Sequence, residues 1–509
     1  MSFRRSIAEQ LLALGTTIAS LALVSAPAPG QIAPLRSPGT GLEAFVMDRW
    51  LWNPAWTYYR SRDSELWLHA SREAESGALH SPFAAGSPSV YAYFVEGAQR
   101  LGDDEVFRGQ FGFQQDFRDE LLWIDSRDYA LQNPFVLADS SDGQTVYRGI
   151  IMTAEYARIL NEDFTAGASV TYGVANGVKE VVPKPTSMNR DLAARFGLTF
   201  TVASPLRIGA GFRYVDQQEE ITFDEEEASL LTETILFKFR GLDKFLRLTK
   251  KSEFRKSQLR GYEGSVEGEY TVDEHTMLDV RGEMGVHAAT VTDGGTSPVD
   301  QGYWQTSFSR GTVRATYGDD GTRLAVWGAI AQASHWSKHP LYDVVFMEGS
   351  ETTVSLGGGY EIPLMPGFLT AGIEYSFAHE REEITDHLSA VRVDLSRALH
   401  TLGVHSSWLW SEDFSTALGY TLGFTFTGDD VVDAPGASPF FALRRQELAA
   451  WNVRSDTHIL QASIGCTRGP FGSIVLRARY FHRSAEASSL WPDPVRDGFT
   501  VALSLGLGN

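Results

Sequence analysis

The stretch Gly498-Phe-Thr-Val-Ala-Leu-Ser-Leu-Gly-Leu-Gly-Asn509 alternates apolar and small or polar residues without interruption. The apolar positions are Phe499, Val501, Leu503, Leu505 and Leu507, and between them lie Thr500, Ala502, Ser504, Gly506 and Gly508. Successive side chains of a β-strand point to opposite faces, so this pattern predicts a strand with one apolar face and one small, polar face. At the end of a long chain with many similar segments, it is typical of the closing strand of an outer-membrane β-barrel.

The same period of two recurs elsewhere in the chain, for example over residues 206–214 and 418–426. Alternation over nine or more residues is longer than the usual strand of a soluble protein and matches the length that crosses a bilayer at a tilt. Beyond the N-terminal region, no run approaches the roughly twenty apolar residues of a membrane-spanning helix. The pattern therefore predicts an all-β fold, a transmembrane antiparallel barrel.

The connections between these segments are of two alternating kinds, which predicts the orientation of the barrel. Short turns are expected near residues 102–104, 161–163, 204–205, 273–275, 318–321, 363–366, 411–413 and 468–470. Longer polar connections are expected at 115–144, 175–190, 218–256, 291–302, 336–350, 381–396 and 428–454. In outer-membrane barrels the short turns are periplasmic and the long loops extracellular.

The number of strands follows from these turns. Eight short turns imply sixteen strands, and a first strand near 65–74 and the closing strand bring the total to about eighteen, with sixteen as the alternative. The strand-like segment 233–239 would break the alternation if it crossed the membrane. It is therefore assigned to the large extracellular loop 218–256, with room for a hairpin of its own.

The N-terminal region predicts export and a separate segment before the barrel. Arg4 and Arg5 precede an apolar run from Leu11 to Val24 and a small-residue stretch, the layout of a secretory signal peptide over residues 1–30. Residues 31–62 contain the aromatic-rich stretch Trp50 to Trp56 and are expected either to plug the lumen or to lie at the periplasmic rim. The barrel should occupy residues 63–509, and the expected location is the cell outer membrane.

The amino-acid composition limits the kinds of partner and cofactor that the protein is expected to bind. The formal charge of −20 makes nucleic acid an unfavourable partner. The single cysteine, Cys466, excludes an internal disulfide and a cysteine-based metal site, and no cofactor is expected. The expected partners are outer-membrane lipid and lipopolysaccharide, the barrel-assembly machinery and, in one interpretation, a surface transport complex.

Charged residues on the polar faces of the strands predict the lining of the lumen. They are Arg207, Arg213, Glu263, Glu267, Glu269, Asp279, Arg281, Glu283, Arg314, Glu374, Arg477 and Arg479. Charges are costly against lipid but tolerable in a hydrated or mutually paired interior. Two interpretations stay open: a polar conduit whose charges select a solute, and a closed lumen held together by ion pairs.

The charge of the large loop 218–256 changes from negative to positive along the sequence. Its first part is acidic, from Glu219 to Glu227, and its second part is basic, from Lys238 to Lys256. The basic part could contact lipopolysaccharide phosphates or pair with the acidic part. A solvated loop without a specific partner is the simplest interpretation.

Signatures of catalysis are weak. His405 and Ser407 share a strand face, as the base and nucleophile of a barrel hydrolase would, but nothing in the sequence supplies an Asn or Asp to orient the histidine. His335 and His339 in a predicted loop could hold a metal, yet two ligands in an irregular segment are weak evidence. Phosphate-loop, dinucleotide, Gly-x-Ser-x-Gly and His-Glu-x-x-His motifs are absent. The chain is not expected to be an enzyme, and a hydrolase is the least favoured alternative.

Two stretches carry a family resemblance. Trp123-Ile-Asp-Ser-Arg-Asp-Tyr129 followed by Asn133-Pro-Phe-Val-Leu-Ala-Asp-Ser140, and Val182-Pro-Lys-Pro185 with Asn189-Arg-Asp-Leu192, resemble a family of Bacteroidota outer-membrane β-barrels known only as a domain of unknown function. Asn53-Pro-Ala55 matches the start of that pattern. The chain departs from it at Asn133, at the single Gly143 after Ser141-Asp142, and at its final Asn509, where the family has an aromatic residue that the barrel-assembly machinery recognises.

The resemblance implies the location and fold but no activity. Its motif residues are the candidate binding residues: Trp123, Asp128, Tyr129, Pro134, Phe135, Asp139, Pro183, Pro185 and Asn189. The alternation of turns places them in extracellular loops, where they could form a structural cap, a constriction or a ligand-capture site. The expected function is a channel or capture protein for uptake of an extracellular solute. The alternatives are a non-conducting accessory barrel of a surface nutrient importer and a barrel hydrolase.

Overall fold

The computed structural model describes residues 53–60, 65–127, 133–181, 184–224, 236–248, 252–319, 321–340, 343–411, 413–428, 430–436, 438, 440–467 and 472–508. The predicted signal peptide 1–30 lies outside these ranges, as do residues 31–52 and 61–62 of the predicted N-terminal segment. The candidate residues Asp128, Tyr129 and Pro183 also lie outside them.

Eighteen strands form one closed antiparallel barrel. They are β1 (Glu65–Ser76), β2 (Ser87–Arg100), β3 (Glu105–Asp119), β5 (Thr145–Ile159), β6 (Phe164–Lys179), β7 (Thr186–Ala203), β8 (Leu206–Asp224), β11 (Ser252–Thr271), β12 (Thr276–Asp293), β13 (Val299–Asp319), β14 (Thr322–His339), β15 (Val344–Met365), β16 (Leu369–Asp386), β17 (Val391–Ser411), β18 (Phe414–Thr427), β20 (Ser455–Cys466), β21 (Ser473–Ala485) and β22 (Val495–Gly508). Strand β22 pairs with β1, with Gly506 opposite Trp67, and this pairing closes the barrel. The predicted fold and the count of eighteen are confirmed.

The remaining described elements are short and belong to the connections. Strands β4 (Leu137–Asp139), β9 (Leu236–Arg240) and β10 (Lys244–Leu248) form a separate three-stranded sheet, and β19 (Val431–Asp433) pairs with β17. Pro54–Trp56 form a 3₁₀ turn, followed by α1 (Thr57–Arg60), and α2 (Phe441–Trp451) lies in a long connection. In the part of the chain that the structure describes, no helix is long and apolar enough to cross a membrane. The hairpin predicted inside 218–256 is therefore present as β9 and β10.

All eight predicted short turns join neighbouring strands at one end of the barrel, the end at which β1 begins and β22 finishes. The opposite end differs from the sequence expectation. Four connections predicted to be long, at 175–190, 291–302, 336–350 and 381–396, are mostly strand, so only 180–185, 294–298, 340–343 and 387–390 remain between strands. In these segments the strands continue beyond the bilayer, where their outward residues are polar. From the sequence alone, these polar strand ends were predicted to be loops.

The outer surface of the barrel has an apolar belt below and a polar collar above. On β11 the outward side chains from Tyr262 to Tyr270 form the belt, and Arg260, Gln258 and Lys256 follow above it. On β22 the outward row from Phe499 to Leu507 belongs to the belt, as the alternation predicts. Because only the belt matches hydrocarbon, the upper ends of the long strands stand outside the membrane.

Inside that collar lies a hydrophobic core. Inward side chains from the upper strand ends, among them Val291, Trp304 and Ile384, pack against Phe135 and Phe441 from two long connections. Lower in the barrel the inward face is polar and glycine-rich. This hydrophobic core closes the upper part of the interior and leaves a polar lumen below it.

Candidate functional site

The outer mouth is closed by a cap that we define as the connections between β3 and β5, between β8 and β11, and between β18 and β20. These connections carry β4, the β9–β10 hairpin and α2. Leu242 of the hairpin and Phe441 and Leu448 of α2 pack in the same buried cluster as Phe346 and other residues of the barrel wall. Burial of apolar surface shared by loops and wall stabilises the closed mouth.

Trp123 anchors one side of this cap. Its ring lies 5.7 Å from that of Phe237 and 5.8 Å from that of Phe440, between centroids, so it joins the connections that carry β9 and α2. The same cluster contains Phe83, from the connection between β1 and β2. Trp123 has a φ of 61°, a conformation that is costly for a bulky residue and needs compensation from surrounding contacts. Its ring contacts provide that compensation.

A buried ion network crosses from the cap to the wall. Lys238 Nζ of β9 lies 3.0 Å from Glu253 Oε2 and 2.5 Å from Asp293 Oδ2. Arg255 donates to both carboxylate oxygens of Asp293, at 2.8 and 3.1 Å, and to the carbonyl oxygen of Phe135 at 3.1 Å. Burial raises the pKa of Asp293, but hydrogen bonds from Arg255 and Lys238 outweigh this and hold the pKa below its usual value. The cap is thus tied to β11 and β12 by charges that depend on each other.

A second buried charge cluster surrounds Asp139. Lys179 Nζ at the top of β6 donates to Asp139 Oδ1 at 2.9 Å and to the carbonyl oxygen of Ser141 at 2.8 Å. Asp125 lies 4.0 Å from the same ammonium group. Burial, followed by repulsion from Asp139, raises the pKa of Asp125 well above its usual value. The Lys179 ammonium group thus lies between two buried carboxyl groups, of which Asp139 is the nearer.

Three other motif residues make buried contacts near the mouth of the barrel. Pro134 is buried, and its carbonyl oxygen accepts from the Gly241 N–H at 3.0 Å. Pro185 is also buried, and its carbonyl oxygen accepts from the Lys179 N–H at 3.0 Å. Asn189 is buried on the inward face of β7 and donates to Ser187 Oγ at 2.8 Å. The Pro134 contact joins two connections of the cap, whereas the contacts of Pro185 and Asn189 stabilise the turn between β6 and β7 and the start of β7.

A cavity of about 100 Å³ lies beneath the connection between β3 and β5. Its lining includes Asn189, Asp191, Glu219, Arg255 and Trp304. The charged groups are engaged: Glu219 accepts the Arg127 N–H at 2.7 Å, and Asp191 lies 3.4 Å from the Arg127 guanidinium. The volume is below that of ordinary ligand pockets, so the closed cap favours a structural role for the motif residues over capture of a large ligand.

All twelve candidate lumen residues lie on the inward face in the strand register. Arg207 is 3.5 Å from Glu269, Arg213 is 3.2 Å from Glu263, and Arg281 pairs with Glu283. The remaining members are Glu267, which accepts from the Trp56 indole; Asp279, which faces Arg314 across the strands; Glu374, 3.6 Å from His405; and Arg477 and Arg479, which face Ser463 and Gln461. Much of the lumen wall that the structure describes is charged and paired.

Residues 53–60, here called the N-terminal strap, lie inside the lower lumen. The Asn53 side chain donates to the carbonyl oxygens of Leu198 and Ala210, at 3.2 and 3.3 Å. The Tyr58 hydroxyl donates to the carbonyl oxygen of Asp103, in the short turn after β2, at 2.7 Å. The strap therefore runs along the wall from Asn53 to the rim that carries the short turns.

The structure also shows the surroundings of the histidines considered for hydrolysis and for metal binding. His405 and Ser407 do share the inward face of β17, and His405 lies 3.6 Å from Glu374 and 3.9 Å from Glu361. Both ring nitrogens of His405 thus face carboxylates. His335 and His339 lie on β14 rather than in a loop, and His339 is 2.8 Å from the Arg240 guanidinium. Within the described ranges, no group of three or more His, Cys, Asp or Glu side chains could hold a metal ion.

Sequence reasoning missed the buried charges that hold the cap. Lys179 had no assigned role, and Lys238 was only one of several basic loop residues. A signal was available for Glu253 and Arg255, because they continue the inward parity of β11 above the level of the belt. The pairing of Lys238 with Asp293 had no local signal, since 55 residues separate them in sequence.

Comparisons with known proteins add a family and a general likeness. A family model described as a family of unknown function, DUF6850, matches residues 54–427. A sequence comparison with curated proteins finds no significant match.

Among solved structures, the chain is similar to the ferric yersiniabactin uptake receptor FyuA from Yersinia pestis, with TM-score 0.46, 9% identity, and coverage of 88% of this chain and 80% of that one. It is also similar to the siderophore receptor PiuA from Acinetobacter baumannii, at 0.46 and 6%, covering 88% and 82%. The ferric-catecholate import receptor Fiu from E. coli K12 matches at 0.43 and 10%, again over 88% and 82%. At these identities and TM-scores the likeness indicates neither a shared ligand nor a shared mechanism.

Proposed function

Since the chain belongs to DUF6850, a family of unknown function, we propose its role from its own geometry: a gated outer-membrane barrel for uptake of an extracellular solute, closed at rest by the cap. The predicted signal peptide and the apolar belt support the outer membrane as its location. An origin in the Bacteroidota, suggested by the motif resemblance, belongs to the same proposal.

One observation carries the proposal: the mouth is closed by connections and not by the wall. The eighteen strands form a continuous cylinder, and barrels of sixteen to eighteen strands are wide enough to hold an aqueous channel. Below the cap, the inward faces present charges and glycines, which suit a hydrated path. Movement of the cap alone would connect that path to the exterior.

The test is single-channel conductance of the full mature chain in a planar bilayer, with Lys238→Met as the cap-opening variant. Lys244→Met is the matched control, because Lys244 is exposed on the same hairpin. We expect few or no openings in the wild-type and control proteins and stepwise currents in Lys238→Met. If amide exchange shows that the cap of Lys238→Met opens, and no current flows either in this variant or in one whose residues 53–60 are also released from the lumen wall, the uptake proposal is overturned.

The ion pairs of the lumen favour a second candidate, a non-conducting accessory barrel that supports a surface transport complex. Arg207–Glu269 and Arg213–Glu263 join β8 to β11, and Arg281 lies 4.0 Å from Glu267 across β12 and β11, as a structural lumen would require. In that case the cap would be the docking surface for a partner. Copurification of a partner that is lost in the cap-opening variant, without any current, would support this candidate.

The remaining expectations are part of the proposal. We infer no catalytic activity, because among the described residues no hydrogen bond joins His405 to Ser407, as a base and its nucleophile would require. Lipid, lipopolysaccharide and the barrel-assembly machinery are the proposed general partners.

A further inference from the structure

The N-terminal strap occupies a groove that the wall builds from glycines. Gly167 of β6, Gly197 of β7 and Gly209 of β8 all face inward beneath the strap. A Cβ atom added at Gly167 would overlap the backbone of Pro54 and Ala55, and one at Gly197 would overlap the Asn53 side chain. At Gly209 it would lie 2.9 Å from Asn53 Nδ2 and 3.1 Å from Trp56 Nε1. Glycine at these positions permits a close approach that any other residue would prevent.

The strap has the local structure to fit this groove. Asn53 Oδ1 accepts the Ala55 N–H at 3.0 Å, and Pro54 stands at the first position of the 3₁₀ turn, where its missing N–H costs nothing. The turn presents the Asn53 amide to the wall, where it donates to two strand carbonyl oxygens. Sequence, turn and groove are therefore complementary.

Both flanks of the groove supply acceptors for the strap. Trp56 Nε1 donates to Glu267 of β11 on one side, and Thr57 Oγ1 donates to Glu155 of β5 on the other. Hydrogen bonds to charged acceptors in a partly buried site are stronger than those between neutral groups. The strap thus bridges a span of the wall from β5 to β11.

Aromatic residues complete the contact below the turn. The Arg207 guanidinium lies 3.7 Å from the Tyr59 ring centroid, and Arg100 lies 4.9 Å from that of Tyr58. The Tyr59 hydroxyl is 2.6 Å from Thr165 Oγ1. These contacts continue the docking down to the periplasmic rim, and each is made by the inward face.

We propose that β5–β8 with β11 form a peptide-binding groove in the lumen, whose ligand is the chain's own Asn-Pro-Ala-Trp turn, and that the bound strap is an inner gate. The ligand class is a short peptide with an asparagine-capped proline turn and a following aromatic residue. The gate half rests on the proposed uptake function. The groove half does not, since it concerns only where the strap binds.

The groove is tested by thiol accessibility in the full mature chain with Cys466→Ser. Thr57→Cys and, separately, Ala55→Cys act as reporters, because both side chains are buried and the second contributes no side-chain hydrogen bond. Each reporter is combined with Gly167→Ala. The matched control is Gly173→Ala, on the same face of β6, where an added Cβ would meet its nearest atom at 3.7 Å.

We expect slow reaction with a charged maleimide in the parent and in Gly173→Ala, and reaction faster by about tenfold in Gly167→Ala, since overpacking against the strap backbone favours its release. Heat-modifiable mobility on gels confirms that each barrel is folded. Equal rates in all backgrounds for both reporters would overturn the groove.

The gate half is tested by adding Gly167→Ala to Lys238→Met in the conductance experiment. A larger single-channel current in the double variant supports the gate, and an unchanged current overturns it. Absence of current in both variants would sink the uptake proposal and the gate with it, while maleimide accessibility still decides whether the groove binds the strap.

Discussion

Lys238 is the residue on which closure of the cap depends most directly. Its ammonium group serves Glu253 and Asp293, and the side chain is only 9% exposed. In Lys238→Met, Asp293 keeps its two bonds from Arg255, but Glu253 has no other cation within 4.0 Å among the described residues. An uncompensated buried charge costs about 3 to 5 kcal/mol. Because Asp293 remains paired, we expect the lower end of that range.

Hydrogen exchange measures this cost directly. A loss of about 3 kcal/mol in the free energy of cap opening makes the amides of β9 and β10 exchange about a hundredfold faster when exchange is limited by opening. Lys244→Met removes the same charge from an exposed position of the hairpin and should leave the rates nearly unchanged.

A compensating change separates charge from packing. Adding Glu253→Gln to Lys238→Met replaces the unpaired carboxylate with a neutral amide, so most of the lost protection should return. The reasoning would be refuted if Lys238→Met exchanged within threefold of Lys244→Met, or if the double variant were as open as the single one.

Three further results are expected. A carboxyl whose pKa is raised by folding stabilises the cap at low pH and loses that contribution as the pH rises through the raised pKa, so amide exchange of the cap in Asp125→Asn should be less sensitive to rising pH than in wild type. Val266 is an outward residue in the middle of the belt and is 65% exposed, so Val266→Arg should destabilise the barrel folded in a bilayer by about 2 to 4 kcal/mol. Gln258→Arg, above the belt, should leave that stability unchanged. Equal urea titrations of the two variants in vesicles would contradict the placement of the belt. Protease added to intact cells should cut within residues 218–256, and cleavage that required prior opening of the outer membrane would reverse the proposed orientation.

The barrel wall was readable from the sequence because its information is local. In a strand, the face of a residue depends only on parity, so Leu503 and Leu505 are assigned to the apolar face, and Glu267 and Arg281 to the lumen, without knowledge of any partner. Eight short turns then determine the number of strands. The upper strand ends escaped this reasoning, because outward residues such as Gln258 and Lys256 are polar and a strand exposed to water on its outer face resembles a loop.

The function-bearing arrangement could not be read in the same way. Asn53-Pro-Ala55 was visible as a motif, but its binding site depends on Gly167, Gly197 and Gly209, which become a floor only when β6, β7 and β8 lie side by side. For the same reason the sequence left residues 31–62 with two interpretations. Only the register shows that Asn53 lies within the lumen.

The sequence by itself determined a closed antiparallel barrel with an apolar exterior, because alternation of side chains and spacing of turns are properties of neighbouring residues. The tertiary structure alone decided how that barrel is closed. Lys238 meets Glu253 and Asp293, and Trp123 meets Phe237 and Phe440, across separations in sequence that carry no periodic signal. Such contacts depend on which loops fold over the same mouth, and that is a property of the assembled cylinder.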